Sequence, residues 1–283
     1  MKFAVSSYSF AQAMRDGRMT MLDVIPKAKE MGFDGVEIVP LTETMEEKRA
    51  LAPKLAAQAK EYGIEIAAYL VGADFLKNGL DAQVEILKQE AEVAAMLGAT
   101  KMRHDATAGK DADGNEVSWD EALPILAEGY RRVTEYAAGL GVHTMIENHG
   151  YFAQNSWRVK ELVQTVNHKN FGWLCDIGNF LCADEDPADA VKVAAPLAVH
   201  AHAKDFHLRS AKRPRPNAGW FASKKGTLLR GAIVGHGDVP VDVCLKTLAA
   251  AGYDNWLSLE FEGMEDCFMA IAEGYTNLKA IVG

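Results

Sequence analysis

The chain has 283 residues, of which 49% are hydrophobic and 24% charged, with a formal net charge of −9 and a pI of about 5.4. These proportions suit a globular α/β chain and exclude a disordered or collagenous one, and no run of about 18 uncharged apolar residues offers a membrane span. The negative balance argues against nucleic acid or an anionic membrane as a general partner.

The opening residues MKFAVSSYSF carry one lysine and a short apolar run broken by serines. That is too little for a secretory leader, and it reads as a first strand. Cys175, Cys182, Cys244 and Cys267 show no CxxC spacing, so buried, reduced thiols of a cytoplasmic protein are expected.

Short β-rich runs then alternate with longer amphipathic ones to the C-terminus. Strands are predicted at 2–6, 35–39, 64–69, 100–104, 142–147, 171–176, 197–203 and 256–261. Helices are predicted at 20–32, 43–62, 82–98, 119–140, 156–168, 186–195, 240–252 and 264–281, many closing on glycine, as in KEMG, KEYG and AGLG. Repeated βα order demands parallel strands, because each crossover helix returns the chain to the same end. Eight units predict a (β/α)8 TIM barrel, a single domain over 1–283. No GxGxxG follows the first strand, which places an open doubly wound sheet second.

Residues 207–237 break the rhythm as a long basic βα loop holding Arg209, Lys212, Arg213, Arg215, Lys224, Lys225 and Arg230 without one acid. It is expected either as a solvated loop or as a lid bringing positive charge to an anionic or polyhydroxyl substrate.

The stretch VHAHAKDF, residues 199–206, puts His200, His202 and Lys204 on one face if it is extended. A polar face that emerges only as a strand ends marks the C-terminal mouth of a barrel. Glu147 ends the fifth predicted strand in MIENHG, Asp176 the sixth in LCDIGN, and Glu260 lies near the end of the eighth in LSLEFEG. With His202 they surround one mouth. Three carboxylates there repel one another unless some stay protonated or a cation sits among them. One divalent metal on Glu147, Asp176, His202 and Glu260 meets that need. Oxygen-rich ligation with one imidazole points to Mn²⁺ first, with Mg²⁺, Co²⁺ or Zn²⁺ as alternatives.

Further candidates surround this set. Glu37, the one charge in the apolar strand GVEIV, is expected to point inward as a site acid. His149 is a candidate to hold a substrate hydroxyl, to act as base, or to bond a ligand from behind. Lys204 either stabilises an oxyanion or offsets the carboxylates. Arg209, His236 in GHGD and Glu262 in EFEG complete the substrate-binding candidates. His200 and His143 read as core histidines, and Trp173 and Trp220 as packing residues.

In order, ENHG, CDIGN, HAHAKD, GHGDVP and LSLEFEG resemble the motifs of the xylose isomerase-like TIM barrel superfamily of sugar isomerases and epimerases, over essentially the whole chain. The resemblance to its ketose 3-epimerases implies that Glu147, Asp176, His202 and Glu260 bind one divalent metal and that Glu147 and Glu260 also serve as acid and base. It further implies a metal that holds a substrate carbonyl and the neighbouring hydroxyl and stabilises an enediolate. The two glutamates would then take a proton from one face of the sugar and return it to the other. Two positions depart from that pattern: Asn179 stands where those epimerases carry His, and Leu208 beside Arg209 where they carry Arg. The expected function is a divalent-metal-dependent isomerase or epimerase of a sugar or sugar derivative. A dehydratase or lyase acting on a keto-sugar or keto-inositol is the alternative, and a non-catalytic sugar-binding barrel ranks third. Apurinic endonucleases share the barrel, but one metal's worth of ligands on an acidic chain sets that reading aside. By the same resemblance, a homo-oligomer is one expected assembly.

Overall fold

Alternation decides the architecture, since each β-rich run has one face that packs outward on helices and one that points inward. A computed structural model describes residues 1–283. Its strands are β1 (Lys2–Ser6), β2 (Gly35–Ile38), β3 (Glu65–Val71), β4 (Lys101–His104), β5 (His143–Glu147), β6 (Phe171–Asp176), β7 (Ala198–Ala203), β8 (Asp205–Arg209), β9 (Phe221–Ala222), β10 (Leu228–Ala232) and β11 (Trp256–Leu259). Eight of them close in parallel in the order β1-β11-β7-β6-β5-β4-β3-β2. Around this ring lie α1 (Ala11–Arg15), α2 (Val24–Met31), α3 (Met45–Tyr62), α4 (Leu80–Leu97), α5 (Trp119–Gly139), α6 (Ser156–Val166), α7 (Pro187–Ala194), α8 (Val241–Ala250) and α9 (Cys267–Val282). The fold is the predicted (β/α)8 barrel, with the short α1 unanticipated. No helix is long and apolar enough to cross a membrane, and all four cysteines are free and buried.

Local chemistry sets the helix ends. Thr44 and Ser118 cap α3 and α5 by accepting from the backbone N–H of Glu47 and Glu121, whose carboxylates accept the cap N–H in return. Gly32 and Gly63 end α2 and α3 with φ of 88° and 63°, backbone that other residues adopt only with strain.

The main core lies between strands and helices, whereas the barrel interior is layered. Lys101, inward at the start of β4, donates to the Val199 carbonyl at 2.8 Å and to Asn255 at 2.7 Å. Ala68, Leu70, Met145 and Leu174 form a small apolar cluster inside. The last inward residues of β4 to β7 are Arg103, Glu147, Asp176 and His202, with Glu260 one step past β11. The sequence thus turns polar where the strands stop.

The basic stretch is not an irregular lid. β8, β10 and β9 pair in that order into a small antiparallel sheet, and Lys204 separates β7 from β8. Asp205 explains the break. Its buried carboxylate accepts the backbone N–H of Phe206 (2.8 Å), Gly235 (2.9 Å), Gly237 (2.8 Å) and Val239 (3.1 Å), clamping the end of the insertion to its start. A Cβ on Gly237 would stand 2.2 Å from Asp205 Oδ1, so this glycine of GHGD is required for close approach.

Candidate metal centre

Each donor at the mouth is aimed by a neighbour. Arg103 donates Nε to Glu147 Oε2 at 2.6 Å, and its terminal NH2 reaches the same oxygen. Glu147 Oε1 is left toward the cluster, where Asn179 Nδ2 donates to it at 3.0 Å. Asp176 Oδ1 accepts the N–H of Gly178 and Asn179 at 2.8 and 2.9 Å, so Oδ2 points inward. His202 turns Nε2 to Glu37, which presents Nδ1 to Glu260 Oε2 at 3.2 Å, Glu147 Oε1 at 3.6 Å and Asp176 Oδ2 at 3.8 Å.

One donor atom from each of Glu147, Asp176, His202 and Glu260 lies within 4.8 Å of all the others. Asp176 Oδ2 and Glu260 Oε2 are buried beside the Lys204 ammonium, at 3.2 and 2.7 Å, and the buried His202 Nδ1 has no hydrogen-bond partner. A buried polar atom left that way costs on the order of 1–3 kcal/mol. Three carboxylate oxygens and one unpartnered imidazole nitrogen converging on one point fit a divalent cation.

Two fixed cations share the site. Lys204 Nζ lies 2.7 Å from Glu260 Oε2, 3.2 Å from Asp176 Oδ2 and 3.5 Å from Glu262 Oε1. Burial opposes charge on Lys204, but Asp176 and Glu260 override it and hold the ammonium protonated, with its pKa well above the usual lysine range. Burial likewise pushes the Glu260 carboxyl up, and Lys204 with His202 outweighs it, pulling Glu260 down to about 2. Arg103 dominates the same contest at Glu147, which sits well below the ordinary range. Glu262 goes the other way: burial prevails over Lys204 and raises it. His149 Nδ1 meets Asp105 Oδ1 at 2.9 Å, and that neighbour overcomes burial and raises the imidazole.

Above the cluster opens a cavity of about 650 Å³, its open mouth included, with Tyr8, Arg103, Asp105, Glu147, His149, Lys204, Glu260 and Glu262 among its walls. The structure therefore brings together seven of the predicted residues: Glu147, Asp176, His202, Glu260, His149, Lys204 and Glu262. Three others stand elsewhere. Glu37 is fully buried behind His202 and does not line the cavity. Arg209 lies on β8 opposite Leu228 of β10, outside the cavity walls. His236 projects toward α9, with Nε2 3.9 Å from Glu273. Three other cations of this stretch have partners away from the cluster: Arg230 bonds Glu265 at 3.0 Å, Lys224 bonds Asn155 at 2.9 Å, and Arg215 donates to the Trp220 carbonyl.

Sequence reasoning missed Arg103 and Asp105. The available signal was period two in TKMRHD: Arg103 shares the inward face with Lys101 and falls at the strand's C-terminal end, like Glu147 and Asp176.

The sequence profile described as xylose isomerase-like TIM barrel matches residues 25–280. Inosose dehydratase of Geobacillus thermodenitrificans (strain NG80-2) is 26% identical over 153 residues, covering 53% of this chain and 50% of that protein. The chain thus spans about half the length of that curated relative. Among solved structures, the IolI protein with a bound zinc atom superposes with a TM-score of 0.78 at 18% identity, covering 100% of this chain and 98% of the other. A D-tagatose 3-epimerase-like protein gives a TM-score of 0.72 at 21% identity, covering 100% and 97%. These two likenesses speak to the fold.

Proposed function

The chain belongs to the xylose isomerase-like TIM barrel family, and from that premise we propose that it is a divalent-metal-dependent enzyme. It removes a proton next to the carbonyl of an uncharged polyhydroxylated ketone, acting as an isomerase or epimerase of a sugar derivative. The observation that carries this reading is the convergence of Glu147, Asp176, His202 and Glu260, with the buried Nδ1 of His202 facing three carboxylates and lacking any hydrogen bond. A divalent ion held by these four residues supplies a Lewis acid for a carbonyl oxygen and its neighbouring hydroxyl. The oxygen-rich set favours Mn²⁺ or Mg²⁺, and the zinc named for the IolI structure keeps Zn²⁺ among the ions to test.

The chain's own residues divide the remaining work. Glu260 touches both the ligand cluster and the cavity, and its carboxylate takes the carbon-bound proton. Glu147 has Oε2 occupied by two Arg103 donors, so in this reading it stays a carboxylate and a ligand. The second proton carrier is His149: Asp105 fixes Nδ1, which leaves Nε2 for substrate. Lys204, at the cavity wall, offers its ammonium to negative charge developing on oxygen. Substrate neutrality is read from the pairing: Arg103 and Lys204 are both engaged by site carboxylates, and none of the cations of residues 207–237 lines the cavity.

The sequence likeness to inosose dehydratase favours a second reading, in which His149 protonates a departing β-hydroxyl after the same proton removal. Metal-loaded protein incubated in D₂O with keto-sugars and keto-inositols separates the two. Deuterium in recovered material of otherwise unchanged composition supports the isomerase or epimerase; loss of one water, read by mass spectrometry, supports the dehydratase. Neither outcome across the panel sinks the proposal.

A further inference from the structure

Glu37 has no exposed surface, so its carboxylate does not meet substrate. It meets two imidazoles instead. Oε1 lies 2.5 Å from His200 Nε2, and His202 Nε2 lies 3.1 Å from Oε1 and 3.0 Å from Oε2. A carboxylate accepts and does not donate, so the facing nitrogens carry the hydrogens. Ser258 Oγ, 3.0 Å from His200 Nε2, is a further neighbour of that ring nitrogen, while His200 Nδ1 has no partner. His200 thereby anchors Glu37 in place for His202.

Three carboxylates face His202 Nδ1. Without an acceptor at the other nitrogen, those three would draw the hydrogen of a neutral imidazole onto Nδ1, and a protonated nitrogen cannot ligate. Resting on the metal-dependent reading above, we propose that Glu37 is a positioning residue that locks His202 in the Nε2–H tautomer and so keeps Nδ1 free as a ligand atom. A hydrogen-bond partner behind a ligating histidine fixes both tautomer and ring orientation, and its loss typically costs 10–100-fold in metal affinity.

Glu37→Gln tests this at constant shape. The carboxamide has one accepting oxygen for two imidazole donors, and its NH2 turned toward His202 Nε2 favours the Nδ1–H tautomer. Zinc affinity of the variant, measured by chelator competition, is expected to fall on the order of 10–100-fold, with the metal-free melting temperature close to wild type. Glu37→Asp, which restores a carboxylate, should recover part of the affinity. Should the variants fail to fold, ¹H–¹⁵N spectra of ¹⁵N-histidine-labelled, zinc-loaded wild type decide alone: His202 must show a metal-bound Nδ1 and a protonated Nε2. Binding through Nε2, or a Glu37→Gln variant within about threefold of wild-type affinity, overturns the tautomer lock while leaving metal dependence standing. Wild type that takes up no zinc or manganese overturns both.

Discussion

Asp205→Asn isolates the clamp that shapes the mouth. The wild-type carboxylate accepts four backbone N–H groups, two on each oxygen. Asparagine keeps one oxygen and sets an NH2 against the other pair, so two bonds are lost and two donors face a donor. Hydrogen bonds to a charged group contribute roughly 1.5–3 kcal/mol each. Burial raises the Asp205 carboxyl in spite of its four donors, so desolvation offsets part of the gain and the lower figure applies. Two bonds then amount to about 3 kcal/mol, a factor on the order of 100 in a local opening equilibrium. Amide hydrogen exchange reads this residue by residue. Protection at one pair, either Gly235 with Gly237 or Phe206 with Val239, should drop about 100-fold, while β3 and β4 amides change little. Unchanged protection at all four amides would refute the clamp.

Three further outcomes are expected. Glu260→Gln keeps an oxygen donor but removes the base, so deuterium uptake into substrate should slow on the order of 10²–10⁴-fold; wild-type rates would remove Glu260 from proton transfer. Arg103→Met strands Glu147 Oε2 against an apolar side chain, and urea unfolding of metal-free protein should show a loss of about 3–5 kcal/mol; a loss under about 1 kcal/mol would mean the pair is not formed as described. His104 is fully buried, and burial lowers it from 6.5 to about 4. Its folded pKa lies below its unfolded one, so the unfolded chain gains the proton first. The stability held above pH 6.5 is therefore lost as pH falls toward 4, by about 3 kcal/mol. In His104→Asn that share of the acid slope should vanish from urea midpoints taken between pH 7 and 4.5; an identical slope would contradict the burial argument.

Strand positions and ligand types were legible because both depend on local alternation. The run from His200 to Lys204 carries its own period, and Glu147, Asp176 and Glu260 each interrupt an apolar strand at its end. What stayed hidden depends on depth and partner. Glu37 is visibly the odd charge in GVEIV, yet nothing local says that His200 and His202, more than 160 residues away, stand between it and the cavity. His236 and Arg209 fall near the mouth along the chain, but the insertion's pairing carries them away. Its sheet was masked because β9 is only two residues long and the cations suggested a solvated loop.

Charge balance was the sequence's argument for a metal, and the structure replaces it with a better one. Glu147, Asp176 and Glu260 bring three negative charges; Arg103 and Lys204, both in ion pairs with them, bring two positive ones, while Asp105 and Glu262 share the same two cations and add to the negative side. The built-in cations reduce the repulsion among these carboxylates without removing it. Direction is the stronger argument for a cation. Arg103 draws on Glu147 Oε2 and two backbone amides draw on Asp176 Oδ1. His202 Nε2 is turned to Glu37. In Glu147, Asp176 and His202 the outer atom is held by a neighbour and the inner one faces the common centre, an arrangement that simple neutralisation would not require. Built-in cations lower the net charge that a bound ion would offset, while the aimed side chains would still hold it. Substituting Arg103 should accordingly perturb stability before it perturbs ligand identity.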